Sequence, residues 1–265
     1  MPVIKANGES IYFEDVGDGP PVLFFHSLGT NSYLFRDQIA VLKNSYRCIA
    51  PDCRGHGNSS CNGSLTLKDF ISDHKAVLDH LDIKRCHIIG LSMGGLILLH
   101  FNSKWPDIGI SFIIADSYAR TPAGVEDHIC ATREAVAYLS MHEFGSQYAG
   151  DRLMPTTPIE KLDELAFEIS KCPSEAYVDT LQTVLTYDGR ADLSNIKRPT
   201  LIIIGDSDDV TPMSESEYIR DSIYTSSIIE IPNAGHLSNI DNPKKFNETI
   251  KIFLDSQSKE YNEGS

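Results

Sequence analysis

This 265-residue chain predicts a doubly wound α/β fold: a mostly parallel sheet with a helical cap inserted between two of its strands. Three observations carry the prediction. Short apolar runs at residues 22–25, 86–89, 112–115 and 201–204 alternate with amphipathic stretches, as strands buried on both faces of a parallel sheet alternate with their crossover helices. The segment Gly90-Leu91-Ser92-Met93-Gly94 stands between one such strand and a helix. After Asp116 the rhythm stops, and over residues 118–189 the pattern is helical without a comparable strand.

In chain order, residues 3–6 and 11–16 read as two strands joined by the turn signal Asn7-Gly8. A Gly/Pro-rich turn leads to the strand at 22–25, which exits into His26-Ser27-Leu28-Gly29-Thr30, where open α/β sheets place their ligands. Residues 35–42 read as a helix and 47–50 as a strand, followed by a polar, glycine-rich turn at 51–59. Thr66-x-x-Asp69 is a capping box for an amphipathic helix, and the strand leading to Ser92 follows it. Helical patterns at 125–141 and 159–169 fall in the inserted segment, whose length far exceeds an ordinary connection, so it is expected to cap the sheet's carboxyl edge. Residues 228–231 form a last strand, and Asn242-Pro243 opens a closing helix through Leu254, with a frayed polar tail beyond Ser256. The expected division is 1–117 and 190–265 for the core and 118–189 for the cap.

Composition narrows the function. With 41% hydrophobic residues and a formal charge of -14, the chain is an ordinary soluble one, and nucleic acid or an anionic membrane surface is a poor partner. The amino terminus shows no secretory signal, and no apolar run is long enough to span a bilayer. Six dispersed cysteines without a C-x-x-C pair suit free thiols in a reducing cytoplasm, and Cys/His spacings for zinc are lacking.

The chemistry centres on Ser92. A turn too tight for side chains at its flanks lifts the hydroxyl above the sheet edge, beside the N–H groups that open the next helix. A serine needs a histidine to take its proton and a carboxylate to orient that histidine. His236, in Asn233-Ala234-Gly235-His236 after the last strand, is placed for the first role. For the second, Asp206, Asp208 and Asp209 share one strand-end loop, with Asp208 in the lead, and Asp116 ends the preceding strand. The Leu28 and Met93 amides are the expected oxyanion donors. His26 and His56 are expected to brace their loops, while His128 and His142 in the cap either line a pocket or face solvent.

These motifs resemble the alpha/beta-fold hydrolases. The segments 26–30, 52–59, 90–95, 205–212 and 234–240 are similar in particular to those of 3-oxoadipate enol-lactonases and their esterase and cofactor-free haloperoxidase relatives. The resemblance implies a catalytic Ser92, Asp208 and His236 with an oxyanion hole from Leu28 and Met93, and it favours Asp208 because the family's acid stands fourth from the glycine ending its strand. It implies a serine hydrolase that cleaves a small-molecule ester or lactone through an acyl-enzyme, without metal or organic cofactor. A carboxylated lactone would want a cation, and Arg120, Arg133 and Arg152 are the arginines of an otherwise acidic cap. A general carboxylesterase or perhydrolase, and a slow ligand receptor on the same scaffold, are the alternatives. The expected partner is a small-molecule substrate, with homo-oligomerisation left open.

Overall fold

The computed structural model describes residues 2–63, 65–120 and 123–263, so Met1, Ser64, Thr121, Pro122, Gly264 and Ser265 lie outside it. β1 (Val3–Ala6) and β2 (Glu9–Val16) make an antiparallel hairpin, with Asn7 and Gly8 at φ 51° and 83° as a primed turn requires. β3 (Pro21–Phe25), β4 (Arg47–Pro51), β5 (Cys86–Leu91), β6 (Gly109–Ala115), β7 (Thr200–Gly205) and β8 (Ser226–Ile231) run parallel, and the order is β1-β2-β4-β3-β5-β6-β7-β8. Every residue of β5, β6 and β7 is buried, which explains why these strands read as mostly apolar runs without polar alternation.

Two helical layers cover the sheet. α1 (Arg36–Leu42) packs on the last helix, while α2 (Leu67–His80) packs on α3 (Met93–Lys104). The Thr66 capping box opens α2. Four helices follow β6 before a short fifth leads into β7: α4 (Val125–Tyr138), α5 (Met141–Arg152), α6 (Ile159–Ser170) and α7 (Ser174–Leu185). The helix expected over 125–141 ends at Tyr138, and Met141 opens the next one. Ser140 accepts from Glu143 N–H and Glu143 returns the bond to Ser140, so a second capping box restarts the chain there. The short α8 (Arg190–Leu193) and α9 (Met213–Ser222) flank β7, and α10 (Ser238–Asp241) follows β8. The closing α11 (Pro243–Glu263) outruns its expected end, in part because Tyr46 Oη reaches both Asp255, at 2.8 Å, and Ser258, at 3.2 Å. Among the described residues no helix is long and apolar enough to cross a membrane.

The register gathers the strand ends. Leu91 pairs with Ala115 and Ala115 with Ile203, and the exits are stitched together by Ser92 N–H to Ala115 O and Asp116 N–H to Ile203 O, both 2.9 Å. The residues that follow β5, β6, β7 and β8 therefore emerge along one edge.

Candidate active site

The turn from β5 to α3 is as tight as its glycines suggest. A Cβ on Gly90 would stand 2.3 Å from Gly94 O, and one on Gly94 would stand 1.9 Å from Phe25 O. Ser92 is forced to φ 54° and ψ -116°, a conformation that costs energy in an L-residue and holds the side chain clear of the sheet. Its Oγ lies 2.9 Å from His236 Nε2. On the other side of the ring, His236 Nδ1 lies 3.0 Å from Asp208 Oδ2. All three residues are buried.

Asp208 is heavily supplied with donors. Val210 and Thr211 N–H both donate to Oδ1 at 2.8 Å, and the Thr211 hydroxyl donates to Oδ2 at 2.6 Å. Burial works to raise its pKa, but His236 and Thr211 outweigh it and hold the carboxyl below the ordinary range. The other candidate acids are engaged elsewhere. Asp206 accepts from Asn233 and Ala234 N–H at 2.9 and 3.2 Å, bracing the histidine loop, and Asp209 is exposed. Asp116 accepts from Gly205 N–H at 3.0 Å and from Ser238 N–H and Oγ–H at 3.1 and 2.7 Å, tying β6 to β7 and to the loop after His236. Burial, with the charge of Asp208 added, pushes its carboxyl well above the usual range.

Leu28 and Met93 line the same cavity as Ser92 and His236. Met93 opens α3, so its N–H has no carbonyl a turn earlier in the helix. The loop carrying Leu28 is set by Ser27 O, which accepts from Thr30 N–H at 3.2 Å, Thr30 Oγ1 at 2.7 Å and His26 Nδ1 at 2.8 Å. His26 Nε2 in turn accepts from Cys53 N–H at 2.9 Å, which fixes its tautomer and ties two strand-end loops together. His56 Nδ1 donates to Arg54 O at 3.2 Å within its own turn. Both histidines are fully enclosed, and burial pushes their pKa values down, His56 to about 4.

The cap roofs the site. From α5, Tyr148 and Arg152 face the cavity, and from α7 come Tyr177, Leu181, Val184 and Leu185. The Tyr148 hydroxyl lies 3.4 Å from Ser27 Oγ. The Arg152 guanidinium lies 4.3 Å over the Tyr148 ring, and among the described residues its one ion pair is a 3.9 Å approach to exposed Asp151. Arg120 is instead paired with Glu215, and Arg133 lies in a separate crevice between α4 and α7. His128 lines the cavity though much of it is exposed, and partial burial and Arg152 lower its pKa; His142 is exposed and lies outside the cavity. The acidic residues Glu126, Asp127, Glu134, Glu143 and Asp163 are exposed, while Glu164 and Glu168 pair with Arg36 and Lys171. None of these seven lines the catalytic cavity. The tyrosines of the roof and the α5 helix that carries Tyr148 were not singled out from sequence; the Ser140-x-x-Glu143 capping box was the signal for that helix.

The cap is fastened to the histidine loop. His236 N–H donates to Arg152 O at 3.0 Å, and Asp241 accepts from Met154 N–H at 3.1 Å and from Gly235 N–H at 2.7 Å. Among the described residues, no group of three or more His, Cys, Asp or Glu is arranged to hold a metal ion.

Residues 22–249 match the model of the alpha/beta hydrolase family. The chain belongs to that family. It is 31% identical over 251 residues to a 3-oxoadipate enol-lactonase of Acinetobacter baylyi, covering 93% of each chain. Among solved structures of the alpha/beta hydrolase fold, a bromoperoxidase from Bacillus anthracis superposes with a TM-score of 0.86 at 25% identity, covering 93% of this chain and 96% of that one. A thermophilic esterase from Thermogutta terrifontis has the same fold, with a TM-score of 0.90 at 24% identity over 97% of this chain and 99% of its own.

Proposed function

We propose that this protein hydrolyses a small-molecule carboxylic ester or lactone through an acyl-enzyme on Ser92. The observation that carries the reading is the unbroken chain from Ser92 Oγ to His236 to Asp208, at 2.9 and 3.0 Å. His236 Nε2 takes the Ser92 proton as Oγ attacks the carbonyl carbon, and the Leu28 and Met93 amides hold the resulting oxyanion. The same nitrogen gives its proton to the departing alkoxide. A water deprotonated by His236 then attacks the acyl-enzyme, releasing the acid and restoring the Ser92 hydroxyl. Asp208 stays ionised throughout and steadies the imidazolium.

Two observations support a lactone bearing a carboxylate: the enol-lactonase relative, and Arg152, a cation lining the catalytic cavity whose ion pair among the described residues is the 3.9 Å approach to exposed Asp151. The acidic residues of the cap do not oppose that reading, because they face outward or pair outside the cavity. Perhydrolysis, with peroxide replacing water as acceptor, is a second reading that the bromoperoxidase likeness favours. Six free thiols support a reducing, cytoplasmic setting.

The test is kcat/KM for wild type and Ser92→Ala on p-nitrophenyl acetate, simple lactones and a carboxylated enol-lactone. Loss of about 10^4-fold or more in the variant is expected. Turnover that survives the substitution removes the serine mechanism. A preference for the enol-lactone of about a hundredfold places the protein among lactonases, and comparable rates on small neutral esters make it a general esterase.

A further inference from the structure

Two tyrosines of the cap meet the chain on either side of Leu28. Tyr148, from α5, brings its hydroxyl to 3.4 Å from Ser27 Oγ, and Tyr177, from α7, sets its ring 2.5 Å from where a Cβ on Gly29 would stand. Gly29 holds φ 72°, so the loop turns under that ring at a residue without a side chain. Both tyrosines line the cavity that holds Leu28, Ser92, Met93 and His236. The cap therefore touches the residues directly before and after the one whose amide is assigned to the oxyanion.

We propose that Tyr148 is a further catalytic residue, its hydroxyl donating a third hydrogen bond to the oxyanion beside the Leu28 and Met93 amides. This rests on the serine-hydrolase reading and deepens it, for the oxyanion site is then incomplete without the cap.

Hydrogen-bond polarity gives the hydroxyl its direction. Ser27 is wholly buried, and among the described residues its hydroxyl has Tyr148 Oη as its one hydrogen-bond partner. Two hydroxyls that share one bond place a single proton between them. If Tyr148 gave that proton, the Ser27 proton would be shut in without an acceptor, the expensive arrangement for a buried donor. Ser27 is therefore the donor, and the Tyr148 proton is left to find an acceptor elsewhere. The Arg152 guanidinium, 4.3 Å over the ring, has no lone pair to offer, and among the described residues Tyr148 Oη has no hydrogen-bond partner besides Ser27. What remains is the cavity that Tyr148 lines, and an oxygen of the substrate within it.

The choice of oxygen follows from the loop. The bond to Ser27 keeps the hydroxyl beside the residue that precedes Leu28, and the carbonyl oxygen is the one that the Leu28 and Met93 amides draw to that side. As charge gathers on this oxygen, the tyrosine bond strengthens, since a bond to an ionised acceptor is about twice as strong as a neutral one. The gain falls in the transition state and therefore appears in kcat.

Tyr148→Phe tests the assignment, because it keeps the ring under Arg152 and removes the hydroxyl alone. The expected result is a kcat lower by about ten- to a hundredfold, with little change in KM, on p-nitrophenyl acetate and on a carboxylated enol-lactone alike. Affinity for 2,2,2-trifluoroacetophenone, whose adduct with Ser92 carries an oxyanion, should fall by the same factor as kcat. Ser27→Ala should lower both in the same direction by a smaller factor, and should add little to Tyr148→Phe in the double variant. An unchanged kcat in a Tyr148→Phe protein with wild-type circular dichroism overturns the assignment. So does a loss confined to KM or to the carboxylated substrate, or a fall in kcat with the ketone bound as before. If Tyr148→Phe does not fold, Ser27→Ala decides by the same two readouts. Ser92→Ala, run in parallel, keeps the two readings apart: hydrolysis that survives it removes the serine mechanism, whereas hydrolysis that it abolishes and Tyr148→Phe leaves intact removes the role of Tyr148 alone.

Discussion

Asp208 meets His236 and Thr211 through one oxygen, Oδ2, which accepts from the threonine hydroxyl at 2.6 Å and stands 3.0 Å from the imidazole nitrogen. The threonine thus helps keep the carboxylate ionised and aimed. Thr211→Val removes one donor to the ionised form and raises the Asp208 pKa, because hydrogen bonds to the charged state are what lower it. The acid limb of kcat/KM should move to higher pH and kcat should fall several-fold, while Asp208→Asn should cost about 10^4-fold. A pH-rate profile of each variant checks this, and a Thr211→Val limb that stays in place removes the role given to the hydroxyl.

Arg152 is the cation that a substrate carboxylate would meet. Arg152→Gln should raise KM for a carboxylated lactone by about ten- to a hundredfold, the worth of about 1.5–3 kcal/mol for a charge-assisted bond, with little change for a neutral ester. The ratio of the two kcat/KM values measures it. An equal loss on both substrates points instead to disturbance of the His236 backbone, which the Arg152 carbonyl holds.

Two glycines predict opposite outcomes for the same substitution. Gly94→Ala places a methyl 1.9 Å from the Phe25 carbonyl, a backbone atom that cannot swing aside, and should leave no folded, active protein. Gly150→Ala, inside α5 and with nothing within 4 Å, should stabilise by about 0.5–1 kcal/mol. Soluble yield and denaturant titration read both.

Acid should unfold this protein early. His56, His74 and His87 are buried, and burial pushes each pKa from 6.5 to about 4. The unfolded chain takes up these protons near pH 6.5 and the native state refuses them until about pH 4. Stability is therefore full above pH 6.5 and is lost as pH falls toward 4, by about 2 kcal/mol per histidine at pH 5. Denaturant titrations at pH 7 and 5 measure the loss, and His74→Gln should lessen it by about one histidine's share. A stability that is flat over this range contradicts the account.

The parallel strands were legible because burial on both faces keeps them mostly apolar, with no regular polar alternation, and each observed strand contains its expected run. The elbow was legible because only glycine fits at 90 and 94. The choice among Asp206, Asp208 and Asp209 was legible only as a lead for Asp208 that the family resemblance favoured, since it depends on how one loop curls. Here Asp208 turns inward through the N–H groups of Val210 and Thr211, while Asp206 is drawn to the histidine loop. The cap was visible as an absence of strands, but its roof was not. Which of the cap arginines enters the cavity depends on how α5 packs on α6, and helical spacing does not encode that.

The bond from His236 N–H to the Arg152 carbonyl makes roof and catalyst one device. Any opening that lifted the end of α5 would carry away the carbonyl on which the base is hung, and the bonds from Met154 and Gly235 to Asp241 would strain with it. On the mechanism proposed above, the base would keep this backbone support only while the seam is shut.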